Sequence, residues 1–212
     1  MKIVSFFLLS LSLLFLGGCS KKSETQEQTP PVPVAPAAKL PAPVAEPESK
    51  ISVKPAIDPL PNHFVLTNAD AKELNVTLDG DRVTFSSINK PLVMINLFAT
   101  WCPPCRAELP YLEQLRKKHA KKLAVIGILV NDDQNSTQLH YFMKKNKIHF
   151  FISNTKENSA LTKQLVEGLG LSENFPIPLS LLYINGKLYR YYEGAMPIEM
   201  MENEIKQARK QL

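Results

Sequence analysis

Cysteine is nearly absent from this chain: three in 212 residues, at Cys19, Cys102 and Cys105. A closed zinc site needs four ligands, and two neighbouring thiols cannot supply them. His119 follows the pair, but a zinc-finger spacing needs a second histidine within about five residues, and the next is His140. A covalent haem motif needs histidine directly after the second cysteine, where Arg106 stands. None of His63, His119, His140 or His149 lies in a motif. There is no internal repeat. Arginine does not interleave with aromatics as in a nucleic-acid face, and the net charge of +5 comes from scattered lysines such as those of KKHAKK. No run reaches the roughly 18 to 20 apolar residues of a membrane span.

What is present divides into three parts. Lys2 followed by the apolar run Ile3 to Leu16 reads as a secretory signal segment over 1–18. Leu16-Gly17-Gly18-Cys19 resembles a bacterial lipoprotein cleavage site, so Cys19 is expected to carry lipid, each buried methylene contributing about 0.8 kcal/mol to membrane binding. Residues 19–61 then read as a linker. Ten of the 17 prolines lie between Pro30 and Pro61, with few large apolar groups, so the segment favours extended polyproline geometry of about 3.1 Å per residue. Residues 62–212 have the size of one domain.

Within that domain LNVTLDGDRVTFSSI alternates around Asp79-Gly80 and predicts a hairpin. PLVMINLFA and KLAVIGILV are continuous apolar runs, hence buried strands. A helix is expected from the cysteine motif to about His119, with Leu109, Leu112 and Leu115 inward and Pro110 inside it. Helical patterns at 136–146 and 158–170 flank a short strand at 149–153. LSLLYI and KLYRYYEG around Asn185-Gly186 predict an antiparallel pair, and a helix after Pro197 closes the chain with Ile198, Met201 and Ile205 on one face. Early parallel strands with a late antiparallel pair indicate an α/β domain of three layers.

WCPPCRAELP, residues 101–110, carries the chemistry. Redox exchange needs only two thiols: one accessible and ionisable, because the thiolate attacks, and one close enough to resolve the mixed disulfide. A strand-to-helix junction meets both demands. Cys102 would sit at the helix N-terminus, where dipole and free N–H groups favour negative charge, and Cys105 one turn further in. An inert structural disulfide would close too small a loop to stabilise much.

INLFATWCPPCRAELP closely resembles the active-site segment of extracytoplasmic thioredoxin-fold proteins of the TlpA, ResA and CcmG type. Pro110 falls five residues after Cys105, where thioredoxins carry a kink proline, and Gly194 precedes the last helix. The resemblance implies a thioredoxin-like α/β/α fold with a mixed sheet and an added N-terminal β-hairpin. It also implies a cis-proline beside the cysteines: Pro178 in NFPIPLSLLYINGK, with Pro176 as rival, and the Ile177 backbone facing the pair. Trp101 would shield one side. Thioredoxin's buried aspartate is replaced by Asn96, which cannot accept a proton, and Glu108 is expected to take that role. Arg106 is read as a solvated residue.

The function implied is thiol-disulfide exchange without a cofactor or metal. Cys102, Cys105 and Glu108 would be catalytic; Trp101, Ile177 and Pro178 would hold substrate. Protein disulfides would be reduced on the outer side of a bacterial membrane, the substrates including cytochrome c apoproteins. Electrons would come from a membrane transporter of the DsbD or CcdA type. A disulfide-donating oxidase and a copper(I) chaperone remain open alternatives, since two thiolates also suit copper(I).

Overall fold

The two continuous apolar runs become the middle of one sheet. The computed structural model describes residues 62–212; the signal segment, Cys19 and the linker lie outside the described residues. In chain order the elements are β1 (His63–Thr67), β2 (Glu73–Asp79), β3 (Arg82–Phe85), β4 (Leu92–Phe98), α1 (Pro103–Lys118), β5 (Leu123–Leu129), α2 (Ser136–Asn146), β6 (Phe151–Ser153), α3 (Glu157–Gly168), β7 (Leu179–Ile184), β8 (Lys187–Glu193) and α4 (Ile198–Arg209). The sheet order is β1-β2-β3-β8-β7-β4-β5-β6. β4 runs parallel to β5 and antiparallel to β7.

Every residue of β4 and β5 is buried, because both faces of the sheet are covered. The pleat sorts them. Leu92, Met94 and Phe98 face the side that holds α1, α2 and α4, through Leu109, Leu112, Leu139, Met201 and Ile205. Val93, Ile95 and Leu97 face Leu161, Leu165 and Val166 of α3. The second face is completed by β1–β3, whose Phe64, Leu66, Val76 and Val83 join the same cluster. The N-terminal addition is therefore three strands, not a hairpin alone. β3 meets β8 at one pair, Arg82 with Lys187. At the other margin of the three strands Asn68 bridges Ser153, the last residue of β6, and the Asn154 N–H donates to the Thr67 carbonyl at 3.1 Å. The Glu157 carboxylate accepts from the Val65 N–H.

Several boundaries follow local chemistry. α2 spans 136–146 as expected, started by a capping box between Asn135 and Gln138. The β2–β3 hairpin turns on Gly80 and Asp81, since Asp79 still pairs with Arg82. Pro197 is the cap residue of α4 rather than its first helical residue, and Ala208 joins Met201 and Ile205 in the buried face while Ile198 is half-buried. Gly186 has φ +81°, and a Cβ there would lie 2.8 Å from the Val83 carbonyl oxygen. The same carbonyl-rich corner fastens the added strands, with the Val83 N–H donating to the Gly186 carbonyl at 2.7 Å.

Candidate functional site

β4 ends at Phe98 and delivers the chain to the sheet's upper end, where Ala99 to Trp101 turn into α1. Cys102 is the N-cap, with extended backbone, and Pro103 and Pro104 are the first two helical residues. Prolines suit that place because the first helical N–H groups have no partner within the helix. They leave few donors. The Cys105 N–H points to Cys102 Sγ at 3.3 Å, and the Arg106 N–H closes on the Cys102 carbonyl at 3.1 Å. Cys102 and Cys105 are joined as a disulfide with Cα atoms 5.3 Å apart. No acid occupies the first turn of α1, so the positive end of the helix dipole acts on sulfur unopposed.

Ile177–Pro178 is the cis peptide bond, not the bond at Pro176. Its loop packs against the pair: the Ile177 carbonyl oxygen lies 3.8 Å from Cys102 Sγ. Cys102 is 3% exposed and Cys105 fully buried, so the attacking sulfur is less accessible in the disulfide form than its expected role requires. Trp101 stands beside it, 61% exposed, its indole N–H donating to the Asn131 carbonyl at 3.3 Å. It is a flank of the site rather than a cover. Arg106 is exposed, as expected.

Glu108, one helical turn beyond Cys105, is 1% exposed. It points down onto the sheet. Asn96 of β4 donates to its Oε2 at 3.0 Å, and the Met196 N–H donates to its Oε1 at 3.0 Å. The same Asn96 amide also donates to Ser180 Oγ at 2.8 Å, because Ser180 is its cross-strand partner on β7. Among the described residues no cation pairs with the carboxylate. Burial pushes its pKa up to about 6, against the opposing hydrogen bonds from Met196 and Asn96. Asn96 Oδ1 is buried without a partner among the described residues. The sequence pointed to Glu108 but not to Asn96, Ser180 or Met196 as its setting. A signal did exist for two of them, since each is the one polar residue in an otherwise apolar buried strand, and a buried polar group needs a partner.

His119 lies at the far end of α1, buried, 3.2 Å from Glu202, and takes no part in the site. Among the described residues no group of three or more histidine, cysteine or acidic side chains gathers as a metal site, and no helix is long and apolar enough to cross a membrane.

Comparison with known proteins places this architecture. The thiol-disulfide oxidoreductase ResA of Bacillus subtilis is 28% identical over 127 residues, 59% of this chain and 65% of ResA. The thioredoxin-like protein YneN of the same organism is 42% identical over 52 residues, 24% of this chain and 31% of YneN. The chain thus spans less than two thirds of either relative. A thiol:disulfide interchange protein of the thioredoxin family from Chlorobium tepidum superimposes with a TM-score of 0.53 at 23% identity, covering 69% of this chain and 93% of the other. A secreted disulfide oxidoreductase of Mycobacterium tuberculosis does so with a TM-score of 0.51 at 17% identity, over 68% and 95%. These likenesses establish the thioredoxin-like fold. The Redoxin family matches residues 55–208, nearly the whole of the region described above, and the chain belongs to that family.

Proposed function

We propose that this chain is a thiol-disulfide oxidoreductase that reduces protein disulfides outside the cytoplasm, held to a membrane by lipid on Cys19. The observation that carries the reading is the Cys102–Cys105 disulfide at the N-terminus of α1, with the Ile177 carbonyl 3.8 Å from the first sulfur. In the reduced protein the Cys102 thiolate, held by the Cys105 N–H and the helix dipole, attacks one sulfur of a substrate disulfide. The other substrate sulfur leaves as a thiolate and takes a proton from water. Cys105 then loses its proton to the Glu108 carboxylate, which at neutral pH is mostly ionised given its pKa of about 6. The new thiolate attacks Cys102 Sγ, the mixed disulfide breaks, and the second substrate thiolate departs. Two electrons pass to the substrate and the enzyme is left oxidised. A membrane thiol transporter of the DsbD or CcdA type returns the electrons, and cytochrome c apoproteins, which need reduced haem-binding cysteines, are candidate substrates.

The proline pair supports the reducing direction over disulfide donation. With only one amide on the thiolate the reduced form is less favoured, and the potential lies lower. The direct test is Cys105→Ser in cells. It should accumulate mixed disulfides through Cys102 that disappear on adding reductant and are absent from the Cys102→Ser/Cys105→Ser protein. If no such adducts form, and the purified reduced chain leaves insulin disulfides intact, the reading is wrong.

A further inference from the structure

One flank of the redox site has no part in this chemistry. A cleft of about 530 Å³ opens between the start of α1 and α2. Thr100 and Arg106, which bracket the two cysteines along the chain, line one side; Tyr141, Phe142 and Lys145 of α2 line the other. Phe142 is fixed by stacking on Phe98, ring centroids 6.3 Å apart, and Tyr141 stands 67% exposed at the rim. Arg106 and Lys145 are both exposed, and neither has an ion-pair partner among the described residues. The lining contains no carboxylate. Asp132 on the adjoining loop has both oxygens engaged, Oδ2 by the Thr100 N–H at 2.5 Å and Oδ1 by the Gln134 amide at 2.7 Å.

We propose that this cleft is a substrate subsite for an aspartate or glutamate side chain of the polypeptide whose disulfide meets Cys102. The inference rests on the thiol-exchange reading and names its preferred substrates. A guanidinium binds a carboxylate through two parallel hydrogen bonds, and the Lys145 ammonium adds a second cation from the opposite wall. Tyr141 and Phe142 offer apolar surface to the methylenes of the same side chain. A basic residue meets two like charges there. Arg106 follows Cys102 by four residues, about one helical turn or roughly 6 Å of rise, and an extended chain advances about 3.3 Å per residue, so the acid is placed about two or three positions from the reacting cysteine.

The test separates binding from exchange. The full-length oxidised chain is titrated against fluorescent peptides in which the reactive cysteine is serine, identical except for Glu or Lys two positions from it. Anisotropy should give the Glu peptide about threefold to tenfold tighter binding, the scale of two exposed ion pairs, narrowing at high salt. Lys145→Glu, remote from the sulfurs in sequence, should bring the ratio close to one, and Arg106→Glu/Lys145→Glu should invert it. Equal affinities in the wild-type chain, or a ratio untouched by both variants, would overturn the subsite. Reduction of an uncharged disulfide peptide is followed separately. Its absence would count against the exchange reading, while the affinity ratio still decides the subsite.

Discussion

Pro104→Ala should make this protein a stronger oxidant. An N-cap side chain accepts from the N–H of the second or third helical residue. Here the third is Cys105, which already donates to Cys102 Sγ, and the second is Pro104, which has no N–H. Alanine restores that one donor and aims it at the sulfur. A hydrogen bond to an ionised group contributes about 1.5–3 kcal/mol, and sulfur belongs at the low end. About 1.4 kcal/mol would lower the Cys102 pKa by roughly one unit. The thiolate exists only in the reduced form, so the same energy raises the two-electron potential by about 30 mV. Pro103→Ala is the internal control, because the first helical N–H does not point at the cap side chain. Equilibration with glutathione buffers, read by fluorescence of Trp101, the single tryptophan, gives the potential; ultraviolet absorbance of the thiolate gives the pKa. A Pro104→Ala potential within about 10 mV of wild type, or a Pro103→Ala shift as large as that of Pro104→Ala, would refute the account of how this thiolate is held.

Other outcomes follow from buried groups. Glu108→Gln should slow reduction of a protein disulfide at least about tenfold and remove a pH dependence centred near 6. Its stability effect has the opposite sign. Because the folded-state pKa is raised, wild-type stability falls as pH climbs from the ordinary carboxylate range to about 6, and the variant should avoid that fall and be on the order of 2 kcal/mol more stable at neutral pH by thermal unfolding. The unpartnered Asn96 Oδ1 can rotate to accept from the new amide. Glu113 behaves differently. Burial pushes its carboxyl up, but hydrogen bonds from Arg116 and the His149 amide, with the charges of Arg116 and Lys117, outweigh it and hold the pKa below the ordinary range. Its contribution is present at neutral pH and lost as pH falls through that lowered value, so Glu113→Gln should be less stable at pH 7 and lack that acid limb in denaturant titrations. Gly127→Ala places a Cβ 2.8 Å from the Phe98 ring and 3.1 Å from Ile152. It should destabilise by about 1–3 kcal/mol in a denaturant melt, without changing the redox potential.

The legible parts of this fold were those where local pattern and tertiary setting agree. β4, β5 and the β7–β8 pair are marked by apolar runs and Asn185-Gly186, and α2 by the helical pattern of 136–146. β1 was not legible. Five residues of HFVLT directly after a proline-rich stretch carry only two inward positions, Phe64 and Leu66, and their burial depends on α3, about ninety residues further along the chain. The cysteine pair stood out by its spacing, and Pro178 and Glu108 entered through the family resemblance; the disulfide, the cis bond and the burial of Glu108 are what the fold adds to them. Asn96 was noticed for what it is not, an aspartate. Its positive role, an amide shared between Glu108 and Ser180, needs the register of β4 against β7. The low exposure of Cys102 was equally hidden, since it depends on where the Ile177 carbonyl comes to rest.

The meeting of Asn68 with Ser153 bears on how this molecule behaves in a crowd. An open sheet has two margins of unpaired backbone groups, each a template for strands of other molecules. Here the outermost strands turn towards one another, and Glu157 caps one further amide of β1. A handful of contacts remote from the sulfurs thus occupies both margins, and a lesion at that seam should first declare itself as clumping.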